Sequence, residues 1–69
     1  MKHKGVNLPE VLFEMRRVGN SVRVNAIDPA TNIEVTIIGD PRVGEEALKN
    51  TAMRKLAYVI AKRREQGET

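Results

Sequence analysis

Between Val11 and Ile38 apolar and polar residues alternate at period two, and the alternation breaks twice, at Gly19-Asn20 and at Pro29-Ala30-Thr31-Asn32. Successive side chains of a strand point to opposite faces, so this period describes strands with one buried face. The breaks carry turn residues, which predicts three consecutive antiparallel strands. The first runs from Val11 to Val18, with Val11, Phe13 and Met15 on one face and Leu12, Glu14 and Arg16 on the other. Gly19 leads a two-residue loop suited to a type II′ turn, and a loop of that length fixes the register. Val18 then faces Ser21, Arg16 faces Arg23, Met15 faces Val24, and Phe13 faces Ala26.

The second loop spans Pro29 to Asn32. Pro29 pre-sets the first turn position, and Asn32 tolerates the left-handed conformation that ends such loops. The third strand, Ile33 to Ile38, pairs Val35 with Ala26 and Ile37 with Val24, and the apolar faces agree again. Gly39-Asp40-Pro41 ends the sheet. Asp40 is placed to cap a helix ahead of Pro41, and Gly44 is the alternative cap. Leu48, Ala52, Met53, Leu56, Val59 and Ile60 then form one stripe at helical spacing, which is expected to cover the apolar sheet face. Glu45 and Glu46 suit the positive end of the helix dipole, and Lys62, Arg63 and Arg64 the negative end.

The expected fold is therefore α+β, a three-stranded antiparallel meander of order 1-2-3 packed in two layers against one C-terminal helix. Residues 1–10 are expected to form a flexible arm, 11–64 a single β-β-β-α domain, and 65–69 a frayed end. At 69 residues the chain holds one domain, and its two aromatic residues, Phe13 and Tyr58, leave the core to aliphatic side chains. Cores of that size and make-up commonly need a partner. With no Cys there is no disulfide and no thiolate metal site, which suits the cytoplasm. No apolar run approaches the roughly 18 residues of a membrane span, so a soluble cytoplasmic protein is expected.

Val11–Val18, Gly19-Asn20, Ala26-Ile27-Asp28-Pro29-Ala30-Thr31, Gly39-Asp40-Pro41-Arg42 and the helix through Arg54-Lys55-Leu56 together resemble a small family of uncharacterised bacterial proteins of about this length. That resemblance spans roughly Val11 to Ala61 and implies no activity. In topology the chain also resembles a double-stranded RNA-binding domain lacking its first helix. That family meets phosphates with adjacent lysines at the helix N-terminus, where this chain has Glu45 and Glu46 instead.

No catalytic constellation emerges. The one imidazole, His3, lies in the arm, Ser21 has no base beside it, and Glu14, Asp28, Glu34 and Asp40 are dispersed over strands and turns. One sheet and one helix also leave little room for a substrate pocket. The expectation is a non-enzyme with no cofactor, no metal and no small-molecule substrate.

The open sheet face carries the chemistry instead. By the register above it presents Leu12, Glu14 and Arg16, then Arg23, Asn25 and Ile27, then Glu34, Thr36 and Ile38. Leu12, Ile27, Glu34, Thr36 and Ile38 are the candidate protein interface, either on this face or along the lightly charged Ile33–Ile38 edge. A homodimer or an unknown protein partner is the expected occupant. The competing reading is anion or nucleic-acid contact through the directly opposed Arg16 and Arg23, together with Arg17, Lys62, Arg63 and Arg64. A net charge of +3 is too small to choose between them. The outward helix stripe of Ala47, Thr51, Arg54, Tyr58 and Ala61 is expected to face solvent.

Overall fold

A computed structural model describes residues 10–66 together with the backbone of Lys2–His3 and Val6–Asn7. Three strands, β1 (Leu12–Val18), β2 (Ser21–Asp28) and β3 (Ile33–Gly39), form an antiparallel sheet in the order β1-β2-β3. A 3₁₀ turn at Pro41–Val43 leads into helix α1 (Glu45–Glu65), which packs on β2 and β3. This is the α+β meander-plus-helix that the alternation implied.

The register follows from the turns. Gly19 has φ +59 while Asn20 keeps a negative φ, so a II′ turn joins β1 to β2 and sets Val18 opposite Ser21. Arg16 then lies opposite Arg23, and Leu12 opposite Ile27. In the second loop Asn32 adopts φ 63, and its N–H donates to the Asp28 carbonyl at 2.8 Å. Asp28 is itself buried, because its carboxylate accepts from the Ala30 N–H and the Thr31 hydroxyl. Asp28 therefore pairs with Ile33, and Asn25 with Thr36.

Both helix-cap alternatives are used. Asp40 accepts from the Arg42 N–H at 2.9 Å and caps the 3₁₀ turn. Gly44, at φ 103, is the N-cap of α1, a conformation that suits a residue without Cβ.

The core joins Val24, Ala26 and Val35 of the sheet to Leu48, Ala52, Leu56, Ala57, Ile60 and Ala61 of the helix. Small residues at 26, 52 and 57 are fully buried and let the helix approach the sheet closely. Among the described residues only Leu56 and Val24 are large side chains with essentially no exposure. The core is thin, as the composition implied.

Ala61 departs from expectation. Its spacing places it in the outward stripe, yet it is 7% exposed. Ala57 and Ala61 lie on the flank of the sheet-facing stripe, and burial there needs cover besides the sheet. Lys2–His3 and Val6–Asn7 pair antiparallel as a short ribbon beside α1. Of the rest of the arm expected at 1–10, Glu10 is exposed and the remaining residues lie outside the described residues. At the other end Glu65 is helical and the Gln66 N–H donates to the Lys62 carbonyl at 3.1 Å, whereas 67–69 lie outside the described residues.

Candidate functional site

Because β1, β2 and β3 turn one face to the helix, their alternate residues form an uncovered second face arranged in cross-strand rows. One row is Leu12, Ile27 and Glu34; the next is Glu14, Asn25 and Thr36; the third is Arg16, Arg23 and Ile38. The sequence-derived candidates Leu12, Ile27, Glu34, Thr36, Ile38, Arg16 and Arg23 are thus brought onto one surface. Leu12 is 49% and Ile38 62% exposed, a large apolar exposure for a sheet without a second layer. Ile27 is half-buried, and Glu34 and Thr36 are exposed.

The middle row is a polar ladder. The Thr36 hydroxyl donates to Asn25 Oδ1 at 2.8 Å, and Asn25 Nδ2 donates to Glu14 Oε1 at 3.4 Å. All three strands are tied across the face by Asn25, which sequence reasoning placed there without assigning it a role. The signal was available: an amide between a hydroxyl and a carboxylate can donate to one and accept from the other.

The third row is electrostatically unsatisfied. Arg16 and Arg23 are directly opposed, both exposed, and neither guanidinium has an ion pair or hydrogen bond among the described residues. Glu14 is engaged by Asn25 instead of neutralising them. Like charges facing each other across strands weaken a sheet by a few tenths of a kcal/mol to about 1 kcal/mol. Glu14, Arg16, Arg23 and Asn25, with Met15, line a shallow open groove of about 430 Å³.

The remaining basic candidates lie elsewhere. Arg17 points away from this face, and its Nε donates to the Gly19 carbonyl at 3.0 Å. It lines a second groove with Asn20, Asp40, Pro41 and Arg42. There Arg42 is bound to Asp40, Nη2 to Oδ2 at 2.8 Å, which lowers the Asp40 carboxyl from its ordinary value and raises the Arg42 guanidinium. Lys62, Arg63 and Arg64 occupy the last turn of α1. Leu48 lies beneath Gly39 and Lys55 reaches Thr36, so the helix runs back along β3 away from the hairpin end. At about 1.5 Å per helical residue and 3.4 Å per strand residue, this run sits roughly 20 Å along the axis from Arg16 and Arg23, in the other layer. The basic candidates therefore do not merge into one patch.

The outer edge of β3 carries a feature the sequence reading missed. Lys55 Nζ donates to the Thr36 carbonyl at 2.9 Å, so a helix lysine guards a strand whose own residues carry little charge. At the β1 side Lys49 sits 5.6 Å from the centre of the Phe13 ring and 3.5 Å from Glu45 Oε2. The Phe13 ring is itself half-buried against the core.

Among the described residues there is no group of three or more His, Cys, Asp or Glu that could hold a metal, and no helix long and apolar enough to cross a membrane. Residues 8–63 match a family described as Domain of unknown function (DUF6898). No curated protein and no solved structure matches the chain. The likeness to the double-stranded RNA-binding domain accordingly rests on element order alone.

Proposed function

The chain belongs to the DUF6898 family, whose description assigns no activity, and from that premise we propose a non-enzymatic, cytoplasmic interaction module that docks on protein through its open sheet face. The observation that carries this reading is the mixture on that face. Exposed Leu12 and Ile38 accompany two arginines and two glutamates, so the surface is apolar and charge-balanced. A nucleic-acid site would instead concentrate positive charge and, for single strands, stacking rings. Protein surfaces of mixed polarity match such a face better. The Lys55 cover on β3 favours the face over the strand edge as the docking surface.

One observation favours the second reading, nucleic-acid contact: Arg16 and Arg23 have no counter-charge among the described residues. The two readings separate experimentally. A photo-reactive residue at Ile38, compared with one at Arg54 on the helix, is expected to give discrete protein adducts in cells from the sheet position only. Equal adducts from both positions would contradict the docking face. Binding to mixed DNA and RNA that falls steeply with salt, and vanishes when Arg16 and Arg23 are both neutralised, would instead establish the second reading.

A further inference from the structure

Resting on that docking reading, we propose that the occupant of the open face is a second copy of the chain, stacked sheet to sheet with its strands reversed. The charges on this face are segregated along the strands. Arg16 and Arg23 stand one row from the hairpin end, while Glu14 is in the middle row and Glu34 in the row nearest the opposite end. The two charge types are equal in number, so the face is neutral and polar from end to end. Such a pattern complements itself under a two-fold axis that lies between the sheets and runs across the strands.

That operation lays the basic end of one copy over the acidic end of the other. With the axis between the Asn25 and Arg23 rows, Arg16 meets the second copy's Glu14. Arg23 lies over the second copy's Asn25, beside Glu14 on one neighbouring strand and one row from Glu34 on the other, and Leu12 approaches the second copy's Val18. Val18 is 51% exposed and Leu12 49%, so an apolar contact forms where each copy leaves aliphatic surface in water. The Arg16–Arg23 juxtaposition, unpaired among the described residues and unfavourable in one copy, gains carboxylates from the second copy. The thin core, with Leu56 and Val24 the fully buried large side chains among the described residues, gains a second layer. A single three-stranded face is a small interface, so a dissociation constant on the order of 10–100 µM is expected.

Charge exchange tests the geometry by sedimentation of purified protein across micromolar to millimolar concentration. R23E faces the second copy's acids with another acid, and E34R faces the second copy's Arg23 with another base. Each alone should dimerise at least about tenfold more weakly than wild type. Mixed together they restore the opposition of positions 23 and 34, while Glu14 still faces an acid at position 23, so the mixture should form a heterodimer tighter than either variant's homodimer but weaker than wild type. The double variant R23E/E34R should dimerise with itself more tightly than either single variant does. Circular dichroism of each variant verifies that the fold is retained, which R23E should manage easily because Glu at 23 relieves the repulsion from Arg16. A wild type that stays monomeric at about 1 mM would overturn the inference, as would single variants that associate like wild type or a mixture that fails to recover. A monomeric wild type that still gives adducts from Ile38 in cells overturns the second copy as occupant and leaves face docking intact.

Discussion

Lys55 Nζ donates to the Thr36 carbonyl oxygen at 2.9 Å, joining the middle of α1 to the outer strand of the sheet. A strand adding to β3 would compete with this lysine for its acceptor and would meet its charge. The contact thus directs association away from the edge and toward the open face. Lys55→Met is expected to lower stability by about 1 kcal/mol, the net worth of one such hydrogen bond, and to increase edge-mediated aggregation. Urea unfolding and light scattering measure the two effects, with Lys55→Arg retaining wild-type behaviour. Unchanged scattering from the methionine variant would remove the edge-guarding role.

Gly39 and Leu48 are in tight apposition where the sheet hands over to the helix. A Cβ at Gly39 would collide with the Leu48 side chain, which is buried and 5% exposed. Gly39→Ala should cost about 1–3 kcal/mol through overpacking. In a double-mutant cycle with Leu48→Ala, the cost at position 39 should fall sharply because the colliding atoms are gone. Strict additivity would show that Gly39 serves some purpose other than clearance for Leu48.

The sheet was legible from sequence because its determinants are local. A two-residue Gly19-Asn20 loop leaves no freedom in pairing β1 with β2, and a one-residue slip would have put Val24 and Ala26 in water. Asn32 marked the second turn through its tolerance of positive φ. The Lys55 contact and the burial of Ala61 are not legible from sequence for the opposite reason. The Lys55–Thr36 contact spans 19 residues, and nothing near Lys55 distinguishes it from any solvated lysine. Ala61 falls in the outward stripe by spacing, and its burial depends on cover that helical spacing against the sheet does not reveal. At the candidate surface, residue identities followed from register, whereas the pairing of Glu14 with Asn25 rather than with an arginine depended on side-chain geometry.

Asp28 illustrates a structural carboxylate that could pass for a functional one. Its oxygens accept from the Ala30 N–H at 3.2 Å and the Thr31 hydroxyl at 2.9 Å, and the same hydroxyl oxygen accepts from the Ile33 N–H at 3.2 Å. Asp28→Ala is expected to cost about 1–2 kcal/mol by leaving a part-buried N–H and hydroxyl without their acceptor. Thermal unfolding checks the loss. A neutral effect would mean that Pro29 and Asn32 suffice to form the loop.

Asp40 and Arg42 supply a pH-dependent contact at the start of the helical segment. The side-chain bond from Arg42, then the Arg42 backbone N–H, holds the Asp40 carboxyl below its ordinary value of 3.8. A carboxylate with a lowered folded-state pKa contributes stability above its unfolded pKa and loses it as pH falls through the folded value. The 3₁₀ turn should therefore keep its contact at and above pH 4 and release it only below the ordinary aspartate range. Carboxyl-carbon NMR titration should place Asp40 below 3.8, and Arg42→Met should move it back toward that value. An Asp40 midpoint unaffected by Arg42→Met would contradict the assignment.

The central claim is that the open sheet face is covered in the cell. Hydroxyl-radical footprinting compares Leu12, Ile38 and Tyr58, which are 49%, 62% and 46% exposed in the single chain. All three should be labelled readily in dilute purified protein. In intact cells Leu12 and Ile38 should become strongly protected while Tyr58, on the helix, stays as reactive as before. Equal labelling of Leu12, Ile38 and Tyr58 in both settings would contradict the account.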